Sequence, residues 1–326
     1  MTDIKHAQEP AAGKGQPADA RARVVPLGTP AQPRPPFFVV GAQRSGTTML
    51  RLMLNSHPRI AVPFESEFLR PWADIGRYGD LREPASARRL LEALGQDPWT
   101  KKGEIIADPE AVLRRPIASY GDLLDAVFRC YAERRGKTRW GVKTPGYVTE
   151  LDAIHAIFPA GQIIHLVRDG RDVALSYRQI SWGTPHVARV ADDWRMKVTL
   201  GRKMGRMLGS QYMEVRYEDL VRDPAAQLGR ICEFIGEPYD PAMLDYHTQG
   251  EREMPADSMQ WHRNSVSPPD EGKVNAWRRE MPLADQIIFQ DLAGDALDLF
   301  GYERVRDKAR VRVLLRRLYY LLVKRW

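Results

Sequence analysis

Pro36-Phe37-Phe38-Val39-Val40-Gly41-Ala42-Gln43-Arg44-Ser45-Gly46-Thr47-Thr48-Met49-Leu50 is the stretch on which the reading of the chain turns. Phe37 to Val40 form an unbroken run of strand-type residues, and Gly41 and Gly46 bound a polar loop. Met49, Leu50, Leu52 and Met53 then recur at helical spacing until His57-Pro58 stops them. The pattern predicts a strand, a tight loop and a helix. A helix starting near Thr47 points unpaired backbone N–H groups at the loop, and the two threonine hydroxyls and the Arg44 guanidinium add donors. Such a pocket suits a phosphate or a sulfate.

The spacing Gly41-x4-Gly46 matches the first part of the nucleoside-triphosphate P-loop, but that motif continues with Lys and then Ser or Thr, and here Thr47-Thr48 follow. A triphosphatase uses that lysine on the outer phosphates and adds Mg²⁺. In this chain the cation is Arg44, set earlier in the loop. With Arg-Ser-Gly-Thr-Thr in this position, the chain resembles the 3′-phosphoadenylyl-sulfate-dependent sulfotransferases, in particular their tyrosylprotein and bacterial-type branch. The first signature of that family holds a 5′-phosphosulfate. The resemblance implies that Gln43, Arg44, Ser45, Gly46, Thr47 and Thr48 bind this part of the donor.

A second strand–turn–helix pattern supports it. In Gln162-Ile163-Ile164-His165-Leu166-Val167-Arg168-Asp169-Gly170-Arg171-Asp172-Val173-Ala174-Leu175-Ser176, a guanidinium stands at the strand end and a hydroxyl two helical turns on, able to face one anion. The resemblance makes Arg168 and Ser176 the contacts of the nucleotide's 3′-phosphate. Arg171 can instead pair with Asp169 or Asp172, and His165, flanked by apolar strand residues, reads as a core histidine. Trp140 to Lys143 predicts another strand with Lys143 at its C-terminal end, the edge where open α/β sheets bind ligands. The family places a lysine there too, toward the transferring sulfuryl group.

Between these signatures, Ile60 to Leu69 reads as an extended piece leading into a helix, with Glu65 and Glu67 near its start. Either acid could be a general base or simply an acid favoured by the helix dipole. The resemblance selects Glu65 as base and leaves Glu67 as the alternative. Tyr217, in Tyr-Glu-Asp-Leu after a strand at 212–216, and Lys273, in a polar loop before Trp277, are expected at the nucleotide by looser likeness. The stripe Leu123, Leu124, Val127, Phe128 and Tyr131 is a core face. The pairs Arg88-Arg89, Arg114-Arg115 and Arg134-Arg135 read as solvated helix faces or as a site for an anionic acceptor.

Composition bounds the rest. The 326 residues suffice for one large α/β domain. A net charge of +7 suits anionic ligands, but no RNA-binding or helix-turn-helix signature accompanies it, so nucleic acid is not expected as a partner. Cys130 and Cys232 show no metal-ligand spacing, and no metal is expected. Residues 1–35, rich in Ala, Gly, Pro and Gln, read as a disordered leader, 36–305 as the sulfotransferase domain, and 306–326 as a basic amphipathic helix. That helix, with Val311, Leu314, Leu315, Leu318 and Leu322 on one stripe, would dock on protein or on an anionic membrane. The expected location is cytoplasmic, peripheral on the inner membrane surface if the helix binds lipid.

The expected fold is a single doubly wound α/β domain, a central parallel sheet with helices on both faces and a P-loop-like anion loop. The expected activity is in-line transfer of a sulfuryl group from 3′-phosphoadenylyl sulfate to a hydroxyl or amine. Glu65 would be the base, and Arg44 and Lys143 would stabilise charge. Sugar, tyrosine, lipid and small phenol remain open as acceptors. The competing readings are a P-loop kinase using ATP and Mg²⁺ and a non-catalytic nucleotide or membrane-surface module.

Overall fold

The computed structural model describes residues 34–305. The leader, but for Arg34 and Pro35, and the C-terminal helix expected over 306–326 lie outside the described residues. Five parallel strands, β1 Phe37–Val40, β2 Ile60–Ala61, β3 Arg139–Lys143, β4 Gln162–Val167 and β5 Tyr212–Arg216, form one sheet in the order β2-β3-β1-β4-β5. The apolar run that announced β1 is that of a central strand covered on both faces. Its four residues are at most 1% exposed. Phe37 registers with Gly141 on one side and Gln162 on the other. A Cβ on Gly141 would lie 2.3 Å from the Phe37 ring, so only glycine lets these two strands pack this way.

Six helices matter for the site: α1 Thr47–Ser56, α2 Tyr120–Glu133, α3 Gly170–Tyr177, α4 Val187–Met207, α5 Tyr217–Arg222 and α6 Leu283–Leu299. Strand alternation sends Phe38, Val40, Val142 and Ile163 to one face, where α2 packs its Leu123, Leu124, Val127 and Phe128 against them. Phe37, Val39, Ile164 and Leu166 face the other way, onto Met49, Leu50 and Met53 of α1. A third cluster, built on Trp194 of α4 and Phe289 and Leu297 of α6, covers the segment after β4. The sheet is therefore doubly wound, as expected. With β3 and β4 flanking β1, the loops that follow these three parallel strands gather at one edge, the topological switch point where such sheets bind ligands.

One local expectation changes. Glu65 and Glu67 do not begin a helix: residues 62–67 are irregular, and the next helical piece is a 3₁₀ turn at Pro71–Tyr78. The backbone there is committed elsewhere, because Asn55 Oδ1 accepts the Val62 N–H at 2.9 Å and the Ser66 carbonyl accepts both the Thr144 and the Tyr147 hydroxyls at 3.1 Å. Tyr217 opens the short helix α5. After β3 the chain forms a 3₁₀ turn, Pro145–Thr149, and an α-helix, Leu151–Ile157. The arginine pairs form surface contacts, Arg88 with Glu110 at 2.7 Å and Arg115 with Glu133 at 2.5 Å. Among the described residues no helix is long and apolar enough to cross a membrane.

Candidate active site

The loop after β1 is wound tightly. Arg44 and Gly46 take left-handed φ values of 68° and 94°, the Ser45 N–H donates to the Ala42 carbonyl at 3.2 Å, and Gly41 N–H is tied to Pro145 O at 3.0 Å. A Cβ on Gly46 would come within 2.5 Å of the Tyr217 ring, which closes this side of the loop. No side chain caps α1. The first-turn N–H groups of that helix have no intrahelical partner, so an anion fits them chemically and electrostatically. The Ser45 side chain is fully buried and its hydroxyl has no hydrogen-bond partner. Gln43 is oriented by a residue that the sequence did not point to: its amide oxygen accepts from Lys197 of α4, which Asp193 also holds, at 2.9 Å.

Arg44 crosses 132 positions of sequence to place its Nε 3.0 Å from Ser176 Oγ, and its Nη1 donates to the Trp261 carbonyl at 3.0 Å. Arg168 stands beside it, donating to the carbonyls of Arg44 at 3.4 Å and Lys273 at 2.9 Å, with its guanidinium 4.2 Å from the Tyr217 ring centre. Neither guanidinium forms an ion pair with a carboxylate among the described residues. Burial and the neighbouring Arg168 charge lower the pKa of Arg44. Two such cations held side by side, one of them on a hydroxyl, are an incomplete arrangement that an anion completes. Asp172, the nearby acid, has its carboxyl pushed up to about 6 by burial and accepts the Trp277 N–H at 2.8 Å, fastening the 273–277 loop over this region. Arg171 is turned away, paired with Asp169 at 2.7 Å and stacked 3.5 Å from Trp277.

At the other end Lys143 is completely buried and donates to the Glu65 carboxylate. Burial lowers its pKa, opposed by Glu65. The ammonium also lies 4.8 Å from the Phe64 ring centre. Arg51 on α1 is buried too and stitches three pieces together. It donates to Val62 O at 3.1 Å, to Glu253 O at 2.9 Å and to the Glu253 carboxylate at 3.3 Å. The His262 imidazole sits edge-on to Phe64, 5.9 Å between ring centres, and is pushed down to about 3 by burial and by Lys143, Arg44 and Arg51. It is neutral. His165, by contrast, is core, hydrogen-bonded to the Tyr212 hydroxyl at 2.6 Å.

One cavity of about 680 Å³ joins the two ends, room for a nucleotide and an acceptor together. All the candidate residues line it except Ser45 and Lys143, which lie behind the wall. Trp99, Trp182 and Trp261 also line it and were not foreseen. The last two meet at 6.3 Å, and Trp261 Nε1 donates to Ser181 Oγ at 3.3 Å. The signal available for Trp182 is its 50% exposure, which sequence alone does not show.

A doubly wound sheet with an uncapped glycine loop at its switch point, paired guanidiniums on one side and a carboxylate–lysine pair on the other defines a group-transfer enzyme for an anionic donor. The sulfotransferase family model matches residues 35–241, and the chain belongs to that family. It is a sulfuryl-transferring enzyme. The nodulation protein NoeE of Sinorhizobium fredii is 28% identical over 302 residues, covering 84% of this chain and 67% of that protein. Protein-tyrosine sulfotransferase A of Caenorhabditis elegans is 23% identical over 278 residues, covering 82% and 67%. Among solved structures, the sulfotransferase domain of the Synechococcus PCC 7002 olefin synthase superposes with a TM-score of 0.58 at 25% identity, covering 84% of this chain and 96% of that domain.

Proposed function

We propose that this sulfotransferase uses 3′-phosphoadenylyl sulfate as donor and a hydroxyl or amine as acceptor. The observation that carries the reading is Arg44, hydrogen-bonded to Ser176, with Arg168 beside it, in one cavity with Glu65, which Lys143 holds. The residues fit the donor. Arg168 and Ser176 hold the 3′-phosphate, with Arg44 completing the cluster, and the Gly46–Thr48 turn receives the 5′ side on its N–H groups and hydroxyls. Tyr217 and the Lys273 loop enclose the nucleotide. Bound there, the donor supplies a sulfuryl group already activated on a phosphate–sulfate anhydride.

The chain's own residues then do three things. The loop N–H groups, Thr47 and Thr48 stabilise charge on the transferring oxygens, and Arg44 adds its field from the Ser176 side. Glu65 takes the proton of the acceptor hydroxyl or amine as its oxygen or nitrogen bonds to sulfur and the phosphate–sulfate anhydride bond breaks, releasing adenosine 3′,5′-bisphosphate, a role worth roughly 10²- to 10⁴-fold in rate. Lys143 fixes the Glu65 carboxylate from behind, so it is a positioning residue here, where a direct approach to the sulfuryl group was expected. A kinase reading meets Thr47 where the phosphate lysine belongs.

The test is to incubate the protein and 3′-phosphoadenylyl sulfate with a fractionated cell extract, without added metal, and to search for sulfated products by mass spectrometry. At least one fraction should gain sulfate. If none does, while ATP and Mg²⁺ yield a phosphorylated product, the reading is wrong.

A further inference from the structure

Among the described residues five carboxylates, those of Glu65, Glu67, Glu150, Asp172 and Glu280, line the cavity, and Asp172 stands beside the cations. These cations, Arg44, Arg168 and Lys273, all belong to the nucleotide end. The opposite wall is a single unit made of residues 64–67 and 144–150. The Thr144 and Tyr147 hydroxyls both donate to the Ser66 carbonyl, and the Leu69 N–H donates to the Tyr147 hydroxyl at 3.0 Å. This wall brings Glu65, Glu67 and Glu150 to the cavity and no arginine or lysine, since Lys143 is buried behind Glu65. Beside it stand flat apolar faces. Phe64 packs on Trp99 with ring centres 5.6 Å apart, and Trp261 and the neutral His262 complete the surface.

The cations against the apolar faces are already paired, Arg51, 5.9 Å from the Phe64 ring centre, with Glu253 at 3.3 Å. Lys102, 4.8 Å from the Trp99 ring centre, is paired with Asp257 at 2.5 Å. Arg70, which partly offsets Glu67, is exposed and lies outside the cavity lining. Glu67 itself feels the excess, because burial, Asp97 and Glu65 all raise its pKa. Lys143 and Arg51, whose charges reach His262, are already paired with Glu65 and Glu253, so a further negative charge brought to Glu67 and Glu150 meets carboxylates.

We infer that this wall is the acceptor subsite and that it selects a ring-bearing hydroxyl compound that is neutral or cationic, and rejects one carrying a carboxylate or sulfate near the ring. The flat faces of Phe64, Trp99 and Trp261 receive the ring, and Glu65, Glu67 and Glu150 set the sign of what can accompany it. The inference rests on the donor reading, which assigns the rest of the cavity to the nucleotide. Acidic peptides and acidic polysaccharides are thereby excluded as acceptors.

The test uses the full chain loaded with adenosine 3′,5′-bisphosphate and two charge-matched probe series, followed by calorimetry and indole fluorescence. One series is tyramine, 4-ethylphenol and 3-(4-hydroxyphenyl)propionate. The other is the methyl glycosides of glucosamine, glucose and glucuronic acid. The series that binds tells whether the ring is a phenol or a sugar. Within it, the anionic member should bind roughly tenfold more weakly or worse, the scale of a like-charge contact at reduced dielectric. Glu67→Gln combined with Glu150→Gln should narrow that gap while leaving the affinity for the bisphosphate as it was. An anionic member that binds as well as the neutral one overturns the inference, as does failure of both series to bind the loaded protein. If the bisphosphate itself does not bind, the donor reading falls first and this inference with it.

Discussion

Replacing Arg168 by methionine keeps most of the side chain's volume over Tyr217 and removes one charge from the cluster at Ser176. In the folded chain the Arg168 guanidinium is held by two carbonyls, at 3.4 and 2.9 Å, and rests on an aromatic face at 4.2 Å. It is therefore ordered before any ligand arrives, and a phosphate that meets it incurs little further ordering cost. A charge-assisted hydrogen bond in such a setting contributes roughly 1.5 to 3 kcal/mol, or roughly 10- to 150-fold in Kd. The same substitution also loosens the Arg44 and Lys273 backbones, which should weaken every nucleotide. The informative quantity is thus a difference. Calorimetric titration of wild type and Arg168→Met with adenosine 3′,5′-bisphosphate and with AMP should show the bisphosphate losing roughly 10-fold or more beyond whatever AMP loses. Ser176→Ala should show the same selectivity with a smaller loss, because Arg44 remains. Equal losses for the two nucleotides would remove these residues from the 3′-phosphate site.

Glu65→Gln keeps the shape of the side chain and an oxygen for Lys143, so bisphosphate affinity should hold while turnover falls roughly 10²- to 10⁴-fold. Glu67→Gln should cost far less, and a Glu65→Gln enzyme at wild-type rate would transfer the role of base to Glu67 or His262. Burial takes His165 from its ordinary 6.5 to about 4. Its protonation favours the unfolded chain, so the stability it contributes is complete above about pH 6.5 and is lost as pH falls toward 4, a term on the order of 3 kcal/mol. His165→Gln should flatten the fall of Tm over that window, whereas an unchanged slope would exclude His165 as its source. Residues 306–326 are proposed to dock either on protein or on anionic membrane, and liposome sedimentation separates the two. If they dock on membrane, a chain ending at Lys308 should keep nucleotide binding and lose sedimentation with anionic liposomes at low salt, and a full-length protein that does not sediment removes the membrane alternative.

The sheet was legible because its strands are buried on both faces and therefore run as apolar segments, Phe37 to Val40 unbroken and Ile163 to Val167 interrupted only by His165, each ending at a polar turn. Arg168 and Ser176 were legible as a pair because the family resemblance singles out both, and a guanidinium at the end of β4 and a hydroxyl two turns into α3 can face one anion. Contacts between loops follow no such pattern. Nothing in the sequence brings Arg44 to Ser176, or Lys143 to Glu65 across 78 positions, and both change how a side chain is used. Lys197 on Gln43, and Trp182 against Trp261, were invisible for the same reason. The helix expected at Glu65 failed because hydrogen bonds from Asn55, Thr144 and Tyr147 claim its backbone first, a tertiary override of local pattern.

The account stands most directly on which nucleotide the cavity prefers. Thermal unfolding followed with adenosine 3′,5′-bisphosphate in the presence of a chelator, and separately with ATP and Mg²⁺, measures that preference without knowledge of the acceptor. Ligand at about 100 times its Kd stabilises the folded state by about 2.7 kcal/mol. The account predicts a shift of that size with the bisphosphate and chelator, and little or none with ATP and Mg²⁺ at the same concentration. A larger shift with ATP and Mg²⁺, or one with the bisphosphate that disappears when metal is removed, would contradict it.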